Sequence, residues 1–223
     1  QLSSIEMPAK HKGRVAPRLD VDRLEDNLTA QIASGSAYDA HLCGGQLPPL
    51  HSARDQRVSL IGCELQNVSL TDVNARRLLL SDVRIENSDF ANIDCTASNF
   101  ERVEIIGTRL TGAIWNEAQW KSVLFRECRM DLAMARMGTM QDCVFEDCNL
   151  TQTDFYAADM TGAIFRRCDL SRTDIAQAKL TGADIRDCRI DGMRGTPAAM
   201  DSLMISPDQA VLLITLFGVI VKQ

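Results

Sequence analysis

The sequence holds no proline between Pro49 and Pro197, which suits a backbone whose N–H groups are all needed as donors. Histidine is scarce. His11, His41 and His51 all stand in the first quarter of the chain, without the serine, cysteine or aspartate neighbours that would activate a nucleophile. Aromatic residues make up only 5%, few for a base-stacking surface. The longest uncharged apolar run, Ala210 to Val221, is twelve residues, whereas a membrane span needs about 20. No glycine-rich phosphate loop is present. The opening QLSSIEMPAKHKGR has no apolar core of the kind a secretion leader carries. Eight cysteines without such a leader lead us to expect free thiols in a reducing cytoplasm. The formal charge of −6 disfavours unaided binding to nucleic acid. These shortages point away from an enzyme, a membrane protein and a nucleic-acid binder.

What the chain has in abundance is a period of five. Every fifth residue from Leu60 to Ile190 gives 27 positions, and 24 of them are Leu, Ile, Met, Phe or Trp; Ala75, Cys95 and Ala135 are the exceptions. Two residues before each, 25 of 27 are Ala, Cys, Gly, Ser, Thr or Val; only Leu78 and Ile93 are larger. Five matches neither the 3.6 of an α-helix nor the 2.0 of a flat strand. It fits a coil that turns a corner once per five residues, with the large residue inside and the small one near the corner. Near-duplicate blocks recur every twenty residues, so each coil has four sides, and equivalent residues stack at about 4.8 Å. Phe125, Phe145 and Phe165 form one interior column on that reading.

The motifs CNLTQTDF, ADMTGAIF, CDLSRTDI and AKLTGADI resemble the pentapeptide repeats. The resemblance runs from residue 58 to 192 and implies an all-β solenoid, a right-handed quadrilateral parallel β-helix of about seven coils. It does not name an activity, because one scaffold carries many roles.

An open stack needs closed ends. Residues 1–18 are expected to be a mobile tail, and 19–57 a cap helix followed by an irregular opening coil. Asp20 would cap that helix, Val21, Leu24, Leu28 and Ile32 would share one face, and Gly35 would close it. The repeats occupy 58–195 and a C-terminal helix falls within 196–223, with Ser206, Pro207 and Asp208 as its start signals. Val211, Leu212, Leu213, Leu216, Phe217 and Ile220 make that helix apolar on nearly all sides. Such a helix must be buried, either by capping the rod or by pairing with a second copy.

Candidate sites are few. Cys128, Cys148, Cys168 and Cys188 take the small inward position in four successive coils. Sulfurs spaced along a line cannot surround one zinc ion with bonds of about 2.3 Å, and their Cβ atoms stand too far apart for a disulfide. Packing as small hydrophobes is the expected role, with no metal and no cofactor. Asp142, Glu146 and Asp147 form a local acidic surface, expected to face water. On the outside, Leu124, Val144 and Ile164 replace the usual polar residue on one side, and Ile114 and Met134 do so on the next. A stacked apolar stripe marks either a partner site or a surface covered by another part of the protein.

The expected function is therefore a non-enzymatic protein-interaction or scaffold module with an unidentified protein partner. The resemblance supplies an alternative: some bacterial members of the family mimic duplex DNA and bind type II topoisomerases such as gyrase. Against it, the repeats carry 21 acids and 16 bases spread over all four sides, whereas a mimic needs a concentrated negative field.

Overall fold

The computed structural model describes residues 14–20, 31, 36–46, 58–214 and 219. The expected N-terminal helix, the tail before residue 14, and Leu216, Phe217 and Ile220 lie outside the described residues. From residue 58 onward the chain winds into a parallel β-solenoid of about six turns, because its twenty-seven sides stop short of closing a seventh. The longest strands are β5 (Leu79–Glu86), β6 (Asn99–Ile106) and β7 (Gln119–Arg126), each wrapping two sides. They pair in register, Leu80 on Phe100 on Trp120 and Ile85 on Ile105 on Phe125. Strands β8 (Thr139–Gln141), β9 (Val144–Glu146) and β10 (Ile164–Arg166) continue the stack. The other two sides pair through single bridges at the same offset, such as Asp94 with Ile114 and Ile114 with Met134.

The inside follows from side-chain size. All 27 large positions are buried, and the small residues two before them leave room for the backbone to turn. Phe145 stacks between Phe125 and Phe165, with ring centroids 5.1 and 4.6 Å apart and planes within 5° of parallel. The two tryptophans, Trp115 and Trp120, meet edge to face at 5.4 Å.

The corner itself lies two residues after the large one. Twenty-six of the 27 residues from Gly62 to Gly192 at this spacing have positive φ, Asp187 being the exception. Only six of them are glycine, and a left-handed L-residue costs roughly 1–2 kcal/mol. The corner N–H offsets that cost by donating to the next coil, as Arg77 does to Thr96 O at 2.9 Å and Gln152 to Ser171 O at 2.9 Å. Such a bond contributes about 1 kcal/mol net. The two effects are of similar size, so the coil tolerates non-glycine corners only while its neighbour is in place.

The opening segment is more regular than the sequence led us to expect. Strands β1 (Ser36–Tyr38) and β2 (His41–Gln46) lie parallel beneath β3 (Ser59–Ile61) and β4 (Glu64–Ser69), with Ala37 against Leu60 and Leu42 against Leu65. Their offset is 23 residues instead of 20. They form two sides of a preceding coil, three residues out of phase with the rest.

At the other end, a 3₁₀ turn (Pro197–Met200) leads to helix α1 (Pro207–Ile214). Gln209 is its anchor: 2% exposed, its Nε2 donates to the carbonyls of Ile185 (2.8 Å) and Cys188 (2.7 Å). Its Oε1 accepts the Ser206 N–H at 2.8 Å. Leu213 is also buried, but Val211, Leu212 and Ile214 stay exposed at 54, 44 and 40%. The helix therefore caps the rod with one face only, contrary to burial all round.

Phe145→Ala should lower the unfolding free energy by about 3–5 kcal/mol, measured by urea denaturation. A loss below about 1 kcal/mol would mean that the aromatic column does not hold the coils.

Candidate functional site

The cysteine column sits inside the rod as a hydrogen-bonding rail. The thiol of Cys128 donates to Arg126 O at 3.3 Å, that of Cys148 to Glu146 O at 3.2 Å and that of Cys168 to Arg166 O at 3.3 Å. In the two coils below, Ser88 and Thr108 hydroxyls make the same bond to Glu86 O and Ile106 O. The position selects a small side chain that can donate to the carbonyl two residues back, and sulfur or oxygen serves. The stacked Cys148 thiol, above all, and then burial push Cys168 up to about 12. Burial above all, with the neighbouring Asp142 charge adding to it, pushes Cys143 up to about 12 from the ordinary 9.0. These are inert thiols. Among the described residues, no three His, Cys, Asp or Glu side chains are grouped to hold a metal ion.

The apolar stripes divide. Leu124 and Val144 are 2% and 1% exposed, so they are not the open surface expected of them. The N-terminal segment reaches this side of the rod. Arg14 lies on this side, its Nη2 donating at 2.8 Å to Glu104, the residue directly below Leu124. Its charge also acts on Cys143, which precedes Val144. The Arg18 N–H reaches Asp82 at 2.9 Å, a coil lower. Ile164, higher in the same column, is half-buried.

Ile114 and Met134 are half-buried and stack as bridge partners on the fourth side. Met134 is flanked by Leu132 and Met137, at 54% exposure each the most open large apolar residues of the rod. Both are corners with positive φ, 61° and 55°. Sequence reasoning passed over them because corner residues face water and tolerate any type; the available signal was that every other non-glycine corner from Asn67 to Gln177 is polar, charged or alanine.

The acidic group also departs from expectation. Glu146 is 5% exposed and accepts from Arg126 Nε at 3.0 Å. Asp147 is tied to Arg167 by two bonds of 2.6 and 2.7 Å, which hold its carboxyl below the usual range. Asp142 occupies a half-exposed corner. The three do not combine into an open acidic surface. Coil-to-coil pairs such as Arg102 with Asp82 and Arg109 with Asp89 neutralise other acids in the same way.

Two family profiles match the repeats. One, described as pentapeptide repeats in eight copies, covers residues 79–114, and one described as a pentapeptide repeat region covers 138–205. Over these residues the chain carries pentapeptide repeats, and its fold is the parallel β-solenoid that such repeats build. No curated protein gives a significant sequence match. Solved structures of similar type include trypsin-treated QnrB1, a plasmid-mediated fluoroquinolone resistance protein, at 18% identity and TM-score 0.35, covering 74% of this chain and 97% of that one. HetL, from the cyanobacterium Nostoc, is 14% identical at TM-score 0.28 and covers 81% of this chain and 94% of its own. Rfr23, from the cyanobacterium Cyanothece, is 14% identical at TM-score 0.30, covering 64% and 91%. Likeness at this level says nothing of what this repeat protein binds.

Two outcomes follow. Thiol titration of the native protein should find Cys43 fast and the seven buried cysteines slow, reacting only on unfolding; several fast thiols would remove the packing role. Stability should be greatest between about pH 4 and pH 9. The lowered carboxylates, Asp82, Asp89 and Asp147, stabilise above their unfolded pKa and lose this as pH falls through their folded values. The raised thiols stabilise below about 9 and lose it as pH climbs toward the 12 of Cys143 and Cys168. Melting temperature against pH measures both limbs, and a flat profile above pH 9 would contradict the second.

Proposed function

We propose that this repeat protein is a non-catalytic protein-interaction module, working through its outer faces and through self-association at its C-terminal end. The observation that carries this is where the uncovered large apolar residues lie. Among the described residues, apart from Val15 and Tyr38, they gather in two places, Leu132 with Met137 on the rod and Met204, Val211, Leu212, Ile214 and Val219 at the C-terminal end. Uncovered apolar clusters of this kind mark contact surfaces.

At the C-terminal end an apolar groove of about 260 Å³ is lined by Met200, Leu203, Ile205, Ala210, Leu213 and Ile214. A second copy presenting the same helix fits such a groove, since like patches meet across a two-fold axis. The eight unbridged cysteines suit a cytoplasmic setting. Among the described residues no helix is long and apolar enough to cross a membrane.

Modulation of a type II topoisomerase by DNA mimicry stands second. It needs a dense negative field, and the pairing of acids with arginines one coil away thins that field.

Photo-crosslinking separates these readings. A benzophenone side chain at Met134 should give a covalent adduct with another protein in the native cell, and one at Val211 should give a dimer of the chain. No adduct at either position would overturn the interaction role. A gyrase supercoiling assay at micromolar protein should show no effect; inhibition would promote the second reading.

A further inference from the structure

The rod carries one covered patch that its repeat does not call for. Glu104, Leu124, Val144 and Glu146 hold outward positions, yet none is more than 8% exposed. Elsewhere from residue 58 to 192 only the small Ala91 and Ser171 are buried at such a position. Ser122, at the corner beside Leu124, is 3% exposed, the one buried non-glycine corner between Asn67 and Asp187. Asp82, Arg102 and Asp142 in the same corner column are half-buried.

The segment from Arg14 to Asp20 meets the rod here. The Arg18 N–H donates to Asp82 at 2.9 Å, and one coil higher Arg14 Nη2 donates to Glu104 at 2.8 Å. The Arg14 charge is felt higher still, at Cys143. Four extended residues span at most about 14 Å, close to three coil steps of about 4.8 Å. The segment therefore crosses the coils instead of joining one, and it heads toward Ser122. Arg14 and Glu104 are deeply set, with 11 and 10% of their side chains exposed.

The fit is incomplete. Arg14 Nη1 is buried without a hydrogen-bond partner among the described residues, as is Arg126 Nη2 on the same side of the rod. Between residues 14 and 18 no backbone-to-backbone bond reaches the rod among the described residues, and Val15 is 45% exposed. Segments with so few ties open more readily than the body they lie on. If Arg14 leaves, Glu104 keeps Arg84, whose Nη2 stands 3.2 Å away. The carboxylate is then not stranded, which would otherwise oppose release strongly.

We propose that this side of the rod is a docking track for an extended, arginine-bearing segment, and that the chain's own N-terminal segment occupies it as a removable cover. This rests on the interaction role above and adds a surface that is closed while the segment is docked. Arg14 supplies the guanidinium for Glu104, and the Arg18 N–H fixes the register at Asp82. A partner segment of the same chemistry binds only by displacing the resident one, so the contact is autoinhibitory. A tethered segment competes at an effective concentration on the order of millimolar, enough to exclude weak competitors.

The test uses the full chain and its Arg14→Glu variant, in which the substituted residue repels Glu104. A labelled peptide of residues 8–20, followed by fluorescence anisotropy, should bind the variant at least about tenfold more tightly than the wild type, whose own segment competes. A scrambled peptide of the same composition should bind neither, which separates docking from general attraction to an acidic rod. Arg14→Ala, the milder change, should give the same order. Both variants should melt cooperatively within about 4 °C of the wild type. Equal binding of the peptide to wild type and variants, or equal binding of the scrambled peptide, would overturn the proposal. Loss of the cooperative melt in both variants would do so too, since the segment would then be part of the fold. If the peptide binds no form of the protein while the crosslinks at Met134 and Val211 form, the interaction role stands and this track falls.

Discussion

The hydrogen bond from each coil to the next is the interaction on which everything else depends. A residue's N–H reaches the carbonyl nineteen positions on, as Leu70 reaches Asp89 and Phe90 reaches Arg109. A single coil has no such partner and would have to hold four left-handed corners unaided. Stacked coils share the load, because each corner N–H is satisfied by its neighbour. Cooperativity is thus built in: strain is local, and its relief comes from the next coil. The same ladder fixes which residues face inward, since the large side chain and the corner always stand two apart.

That coupling explains how much could be read in advance. The solenoid, its four sides and its aromatic column follow from a period that holds from Leu60 to Ile190. The preceding half-coil escaped because an extra three residues shift its phase; Ala37 and Leu42 keep the spacing of five, yet fall out of step with Leu60. Leu124 and Val144 were expected to be open because periodicity knows only the repeat. On the same side Arg14 bonds to Glu104, ninety residues away in the chain, and no local pattern reports a contact of that range. Leu132 and Met137 went unremarked for another reason. The period locates corners but does not give their backbone conformation, and only positive φ turns an ordinary surface leucine into an anomaly.

The surface chemistry follows the same geometry. Stacking at a fixed offset brings residues twenty apart side by side, so an acid in one coil meets whatever the next coil carries. Where that is arginine, the pair neutralises, as Asp82 with Arg102 and Asp147 with Arg167. Exposed pairs of this kind contribute little to stability, but together they leave the rod without a broad negative face. The thiols of Cys63, Cys128, Cys143, Cys148 and Cys168 are likewise accounted for within the repeat, as donors to carbonyls two residues back. What the repeat does not consume is the exposed pair Leu132 and Met137 on the fourth side and the open face of the C-terminal helix. Both arise where a residue obeys the spacing and breaks the chemistry of its position.

The most direct measurement is a pair of internal deletions in the middle of the rod. Removing residues 119–138 takes out one whole coil, joining Ala118 to Thr139 with every inward position in step. That protein should keep its β-sheet circular dichroism and melt cooperatively. Removing residues 119–136 takes out two residues fewer, yet it throws the large and corner positions out of phase. It should lose the cooperative melt. If the two deletions behave alike, the twenty-residue ladder is not what holds this protein together.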